Sequence, residues 1–156
     1  MPRLPGPLTL PHLEDTEAFA ARLAPILRPG DTLLLSGPIG AGKTAFARAL
    51  IRASMENPAE EVPSPTFTLV QTYTAPDGTE LWHADLYRLT GPDEATELGL
   101  ESAFDTAICL VEWPDRLADL APAEALCLTF AAGETAHVLS LTGPDPWPER
   151  LETAGV

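Results

Sequence analysis

Apolar residues recur at two different periods along this chain, and the change of period marks its elements. Between Asp15 and Leu27, the residues Phe19, Leu23, Ile26 and Leu27 fall three to four apart, the spacing of one helical face. Arg28-Pro29-Gly30 ends that helix, since proline cannot continue it and glycine accepts left-handed backbone. Thr32 to Ser36 (TLLLS) is a short apolar run before a Gly-rich turn, the pattern of a buried strand. Lys43 to Ala53 is rich in strong helix formers and predicts a helix entered directly from that turn. Upstream, Leu8 to Leu10 predicts a short strand.

Beyond an acidic connection over Met55 to Pro63, the period shortens. Thr66 to Thr74 and Thr79 to Asp85 read as strands joined by Ala75-Pro76-Asp77-Gly78, a hairpin signal. Pro92-Asp93-Glu94 opens a short helix, with proline at its first position and acids in its first turn. Ala107 to Val111 predicts another buried strand, ended by Glu112-Trp113-Pro114. A helical turn over Arg116 to Leu120 follows, then strands over Glu124 to Phe130 and Ala136 to Leu141, and a turn or helix from Pro148. Strand–helix alternation followed by hairpins predicts an α/β domain with a mixed central sheet flanked by helices. One domain over 1–156 is expected, its core at about 8–142 and a C-terminal tail at 143–156.

Charge narrows the partners. Nine Lys and Arg against 23 Asp and Glu give a net charge of −14, and Lys43 is the sole lysine. Unaided binding to nucleic acid or an anionic membrane is disfavoured, because phosphates need a basic surface to neutralise them. No apolar run approaches the roughly 18 residues of a membrane span, and the opening segment lacks a signal-peptide core. A cytoplasmic location is expected. Cys109 and Cys127 each sit inside an apolar run without a zinc-ligand spacing, and read as buried, reduced thiols in strands.

The turn after TLLLS carries the chemistry. Gly37-Pro38-Ile39-Gly40-Ala41-Gly42-Lys43-Thr44 matches G-x-x-x-x-G-K-[ST] at every fixed position, between a predicted strand and a predicted helix. Gly37 and Gly42 lack a Cβ and let the backbone curl closely around phosphate oxygens. Amides of Ile39, Gly40, Ala41 and Ala45, at the loop and helix N-terminus, complete an anion cradle. Lys43 then bridges the outer phosphates, and the Thr44 hydroxyl enters the shell of Mg²⁺. The expected ligand is Mg-ATP or its product ADP, since the chain lacks the N/T-K-x-D pattern of guanine sites. A phosphate loop alone names no reaction.

Three further segments gather polar residues at predicted strand ends: Ser64-Pro65-Thr66-Phe67-Thr68-Leu69-Val70, Trp82-His83-Ala84-Asp85-Leu86-Tyr87-Arg88-Leu89, and Ile108-Cys109-Leu110-Val111-Glu112-Trp113-Pro114. His83 and Asp85 share a strand face by period two. With GAGKT, and in this order over about residues 8–142, these segments resemble the TsaE (YjeE) family. That family is the ATPase component of the machinery making threonylcarbamoyladenosine (t6A) in tRNA.

The resemblance implies a single-domain P-loop NTPase fold, ATP hydrolysis, and action in a complex with TsaB and TsaD, with tRNA reached through the complex. It also implies roles for residues. Ser64 and Thr66 match a switch-like segment near the terminal phosphate. Asp85 matches a Walker-B-like acid that helps hold Mg²⁺, Glu112 a glutamate of hydrolysis, and Trp113 a residue near the base. The expected catalytic set is thus Lys43, Thr66 and Glu112, with Thr44 and Asp85 at the metal. His83 reads instead as a hydrogen-bonded structural residue. One departure stands out: the family loop commonly carries an acid where this chain has Pro38, which removes an N–H and fixes φ. Two other functions fit a phosphate loop, a small-molecule kinase and a non-hydrolysing nucleotide switch. The chain's eight arginines form no lid-like cluster of the kind kinases use, and Pro38 favours the switch of the two.

Overall fold

A computed structural model describes residues 4–133 and 135–156. The expected domain range therefore includes four positions, 1–3 and 134, that lie outside the described residues.

Seven strands of the described residues form one mixed sheet. In chain order they are β1 (Leu8–Leu10), β2 (Thr32–Ser36), β3 (Val70–Thr74), β4 (Glu80–Asp85), β5 (Ile108–Glu112), β6 (Leu126–Ala132) and β7 (His137–Thr142). Their order across the sheet is β1-β7-β6-β2-β5-β4-β3. The central four, β6, β2, β5 and β4, run parallel, and antiparallel pairs close both edges. The parallel block has apolar residues on both faces because helices cover both. Alternation does the sorting: Leu33 and Leu35 join one core with Phe19, Phe46 and Leu50, while Leu34 joins the other with Leu100 and Phe104.

Helices α1 (Leu13–Leu23) and α2 (Lys43–Met55) cover the first face. The Asp15 carboxylate accepts the His12 N–H at 2.9 Å and holds the start of α1. The second face carries α3 (Pro92–Glu97), α4 (Leu100–Thr106) and a 3-10 segment over Pro114–Leu120. A last helix, α5 (Trp147–Thr153), follows β7.

Several boundaries depart from the sequence reading. The first helix is α-helical only to Leu23 and tightens to 3-10 over Ala24–Ile26, where Pro25 enters and Leu27 is already extended. Thr66 to Leu69 is not strand: Leu69 N–H bonds back to Pro65 O at 2.7 Å and Leu69 takes a φ of 70°. The reason is a missing partner, since β4 ends at Asp85, whose N–H bonds to Leu69 O. Helix α4 went unread, split from α3 by Gly99 at φ 84°. Strand β6 starts at Leu126 and runs to Ala132, two residues beyond the expected end. Cys109 is fully buried as expected, but Cys127 is only half-buried. The segment set apart as a tail carries α5, whose Trp147 and Leu151 are buried in the core.

Candidate functional site

The parallel strands β2, β5 and β4 end together, so their C-terminal residues share one edge. The register places Leu35 opposite Glu112, and Glu112 opposite Asp85. From β2 the chain turns through Gly37–Gly42 into α2. Gly37 has φ 140°, and a Cβ there would stand 2.4 Å from the Phe130 carbonyl oxygen of β6. Only glycine lets the loop leave the sheet so closely beside β6.

Charged and polar side chains otherwise rare in a core converge here. Lys43, His83, Asp85 and Glu112 are all buried. The Lys43 ammonium donates to the carbonyls of Gly37 and of Pro38, the latter at 3.0 Å, and lies 4.3 Å from the Trp113 ring centroid. Burial pulls its pKa below the ordinary lysine value, opposed by the charges of Glu112 and Asp85. Both Glu112 oxygens are engaged: Oε1 accepts the Thr44 hydroxyl at 2.7 Å, and Oε2 meets His83 Nε2 at 2.7 Å. His83 Nδ1 is buried without a partner among the described residues. Asp85 accepts from the Tyr87 N–H at 3.0 Å and from the Thr66 hydroxyl at 3.4 Å, and Thr66 shares a 2.7 Å hydrogen bond with Ser64. The two carboxylates thus each tie a loop hydroxyl to a strand end.

A cavity of about 530 Å³ opens over this edge. Lys43, Thr44, Thr66, Asp85, Glu112 and Trp113 line it, as do Ile39, Gly40, Gly42 and Ala45 of the loop and first helical turn. Gly37 and Ala41 do not line it: Gly37 abuts β6 and Ala41 is fully buried beneath the loop. His83 stands behind Glu112 rather than in the cavity wall. Trp113 reaches its place through a left-handed turn (φ 60°, ψ 54°) at the end of β5, which sets its ring over the Lys43 head and 4.9 Å from the Tyr87 ring.

Two lining residues were not singled out by the sequence reading for this site, Tyr87 and His137. Tyr87 sits two residues beyond Asp85, inside a segment that was noticed. His137 lies 93 residues beyond Thr44 (137 minus 44) and at the start of a strand, where no local pattern marks it.

Among the described residues, no three His, Cys, Asp or Glu side chains cluster so as to hold a metal by themselves. The hydroxyl of Thr44 with the carboxylates of Glu112 and Asp85 instead offers a partial set of hard oxygen donors, the kind Mg²⁺ completes with water and phosphate oxygens. A second cavity of about 530 Å³ lies at the opposite end of the sheet, between the end of α1 and the β3–β4 turn. Its charged lining residues are Glu56 and Asp77, which oppose an anion. No helix of the described residues is long and apolar enough to cross a membrane.

The chain's likeness to known proteins agrees with this edge. Residues 10–138 match the family model for threonylcarbamoyl adenosine biosynthesis protein TsaE. The tRNA threonylcarbamoyladenosine biosynthesis protein TsaE of Rickettsia bellii is 44% identical over 110 residues, covering 70% of this chain and 74% of that one. The protein of the same name from Bacillus subtilis is 37% identical over 132 residues, covering 83% and 80%. The crystal structure of Bacillus subtilis YdiB superposes with a TM-score of 0.77 at 27% identity, over 99% of this chain and 96% of that one. A buried Lys–Glu–His edge beneath a glycine loop, on a sheet that superposes end to end with a solved relative, sits inside a matched stretch of most of the chain: this chain belongs to the TsaE family.

Proposed function

We propose that this chain binds Mg-ATP at the loop Gly37–Thr44 and hydrolyses it in support of t6A modification of tRNA, in a complex with TsaB and TsaD. The observation that carries the reading is the connected set Thr44–Glu112–His83 beside the Lys43 head, within one open cavity. The Lys43 ammonium, held at the loop by two carbonyls, is placed to receive the outer phosphates. Bound Mg²⁺ would neutralise charge on the transferring phosphoryl group. Thr44 and Asp85 would hold it, and Glu112 stands close enough to Thr44 to join them.

Hydrolysis needs a water aligned with the terminal phosphorus; the bond to the bridging oxygen breaks as the water oxygen bonds. Glu112 is the carboxylate suited to orient that water and take its proton. In this arrangement both its oxygens are occupied, by Thr44 and His83. A water must share one of these oxygens or displace its partner, which makes slow turnover alone and faster turnover in a complex the expected behaviour. Ser64 and Thr66, tied to Asp85 in a loop that has no ladder partner among the described residues, form a segment able to move on binding. The acidic surface, net −14, fits tRNA contact made by partner proteins rather than by this chain.

The test is ATP turnover by the purified protein, alone and then with TsaB, TsaD and tRNA. Stimulation by the partners supports the reading. Tight binding of ATP with turnover that stays slow in the full mixture would replace it with a nucleotide switch.

A further inference from the structure

The cavity over the loop continues past it. Ala45 and His137 line both that cavity and a neighbouring one of about 340 Å³, between the β1–α1 turn and the β6–β7 hairpin. Lys43 marks the opposite end, with its head beside Trp113. In a phosphate loop the lysine meets the outer phosphates while the backbone amides cradle the inner ones. A nucleoside triphosphate laid along this loop therefore has its terminal phosphate near Trp113 and its sugar and base beyond Ala45.

The chemistry of the second cavity agrees with that direction. Among the described residues its lining includes no Lys, Arg, Asp or Glu. Leu10 and Leu13 supply apolar wall, and His12, Thr16, Thr135 and His137 supply hydrogen-bonding groups. The described lining, mixed and without Lys, Arg, Asp or Glu, suits a hydroxylated sugar and a flat heterocycle better than a phosphate.

His137 stands at the junction. Its backbone is held on both sides, by pairing with Leu10 of β1 and Ala132 of β6. Its Nδ1 edge packs onto the loop, 2.8 Å from where a Cβ on Gly42 would lie, so the ring fills the space that the missing side chain leaves. We propose that His137 contacts the sugar and base of the bound nucleotide and is the residue by which this site prefers a nucleoside triphosphate to an inorganic polyphosphate. The proposal rests on the ATP reading of the loop, and it moves the base away from Trp113, where the family resemblance implied it.

Titration calorimetry with Mg-ATP and with Mg-tripolyphosphate separates the possibilities. His137→Ala is expected to weaken ATP about tenfold or more while changing tripolyphosphate by less than about twofold. His137→Asn keeps a polar atom near the Nδ1 position against Gly42 but removes the far side of the ring, and should repeat the same split even if the alanine variant is poorly folded. Equal weakening of both ligands in the asparagine variant would make His137 a support of the loop and overturn the proposal. ATP affinity that is unchanged in that variant would also overturn it. An unsubstituted protein that binds neither ligand would overturn the nucleotide reading itself, and this inference with it.

Discussion

Lys43 and Arg150 stand at opposite ends of β2 and use their charge in opposite ways. Arg150, on α5, grips Asp31 just before the strand, with Nη1 to Oδ1 at 3.0 Å and Nη2 to Oδ2 at 2.5 Å. Nη2 also reaches Ile26 O at 2.6 Å, and the guanidinium lies 4.2 Å from the Trp147 ring centroid. The same Asp31 carboxylate accepts the Arg28 N–H at 2.7 Å. Charge there is answered by opposite charge in a bidentate fork, and the group is spent on structure. Lys43, just beyond the strand's other end, bonds only to carbonyls and makes no salt bridge among the described residues. Two carboxylates share its cavity without touching it. A buried cation left without direct counter-charge is one an incoming anion can claim, and the contrast separates a clamp from a receptor.

The largest expected effect falls at the receptor end. Lys43→Ala should abolish hydrolysis and weaken ATP and ADP at least about tenfold, since it removes a charge-assisted contact. Glu112→Ala should lower turnover by about a hundredfold or more with little change in nucleotide affinity. Titration and turnover assays read the two together; equal loss of affinity in both variants would erase the division between holding phosphate and performing chemistry.

Next in size are changes at the clamp. Trp147→Ala should cost about 3–5 kcal/mol in chemical denaturation, because it empties a buried site and breaks the bond from Nε1 to Glu124 O. Arg150→Ala should cost about 1–3 kcal/mol, leaving Asp31 without its fork. Neither should move nucleotide affinity under native conditions. A clear loss of ATP binding in folded Arg150→Ala would show that the two ends of β2 are coupled rather than merely contrasted.

The smallest effect at neutral pH concerns the thiols in the strands on either side of β2. Burial pushes the Cys109 thiol up to about 12, and its N–H bonds to Asp31 O at the clamp end. The unfolded thiol ionises at about 8.5 and so binds fewer protons above that pH than the folded one. Stability is therefore expected to fall as pH rises from about 8.5 toward 12, by at most about 1.4 kcal/mol per unit from this group. A thiol reagent at neutral pH should label half-buried Cys127 well before Cys109. Faster labelling of Cys109 would show that the clamp end opens.

Much of the receptor was legible because its parts are local. The loop's glycines and its lysine lie within the eight residues Gly37–Thr44, the helix follows directly, and each strand end announces its acid. The clamp was not legible. The segment from Pro148 reads as a turn or helix, and nothing local says that Trp147 is core or that Arg150 meets Asp31 across 119 positions. Thr66 to Leu69 misled for a related reason: Thr and Phe favour a pleated, half-buried surface, and no strand lies beside them there to supply it. The α3–α4 break rests on Gly99 at φ 84°, a conformation glycine permits but does not announce. Trp113 lines the loop cavity through a left-handed turn that sequence does not specify. Contacts between chain neighbours were largely legible, whereas left-handed backbone turns and contacts between distant segments were not.

The order of strands in the sheet has a consequence for the order of events during synthesis. β1 pairs with β7 alone, Leu8 opposite Leu139, and α5 then fastens onto Asp31. The first strand made must wait for the last, and the strand that leads to the loop is not clamped until residues near 150 have emerged. Such long-range closures are slow, because the entropy of a large loop is lost before any contact rewards it. Meanwhile the apolar run Thr32 to Ser36 is complete without β6 beside it. A ribosome-bound chain stopped before β6 should present that run to chaperones, and capture of nucleotide should begin only after β7 and α5 are free to dock.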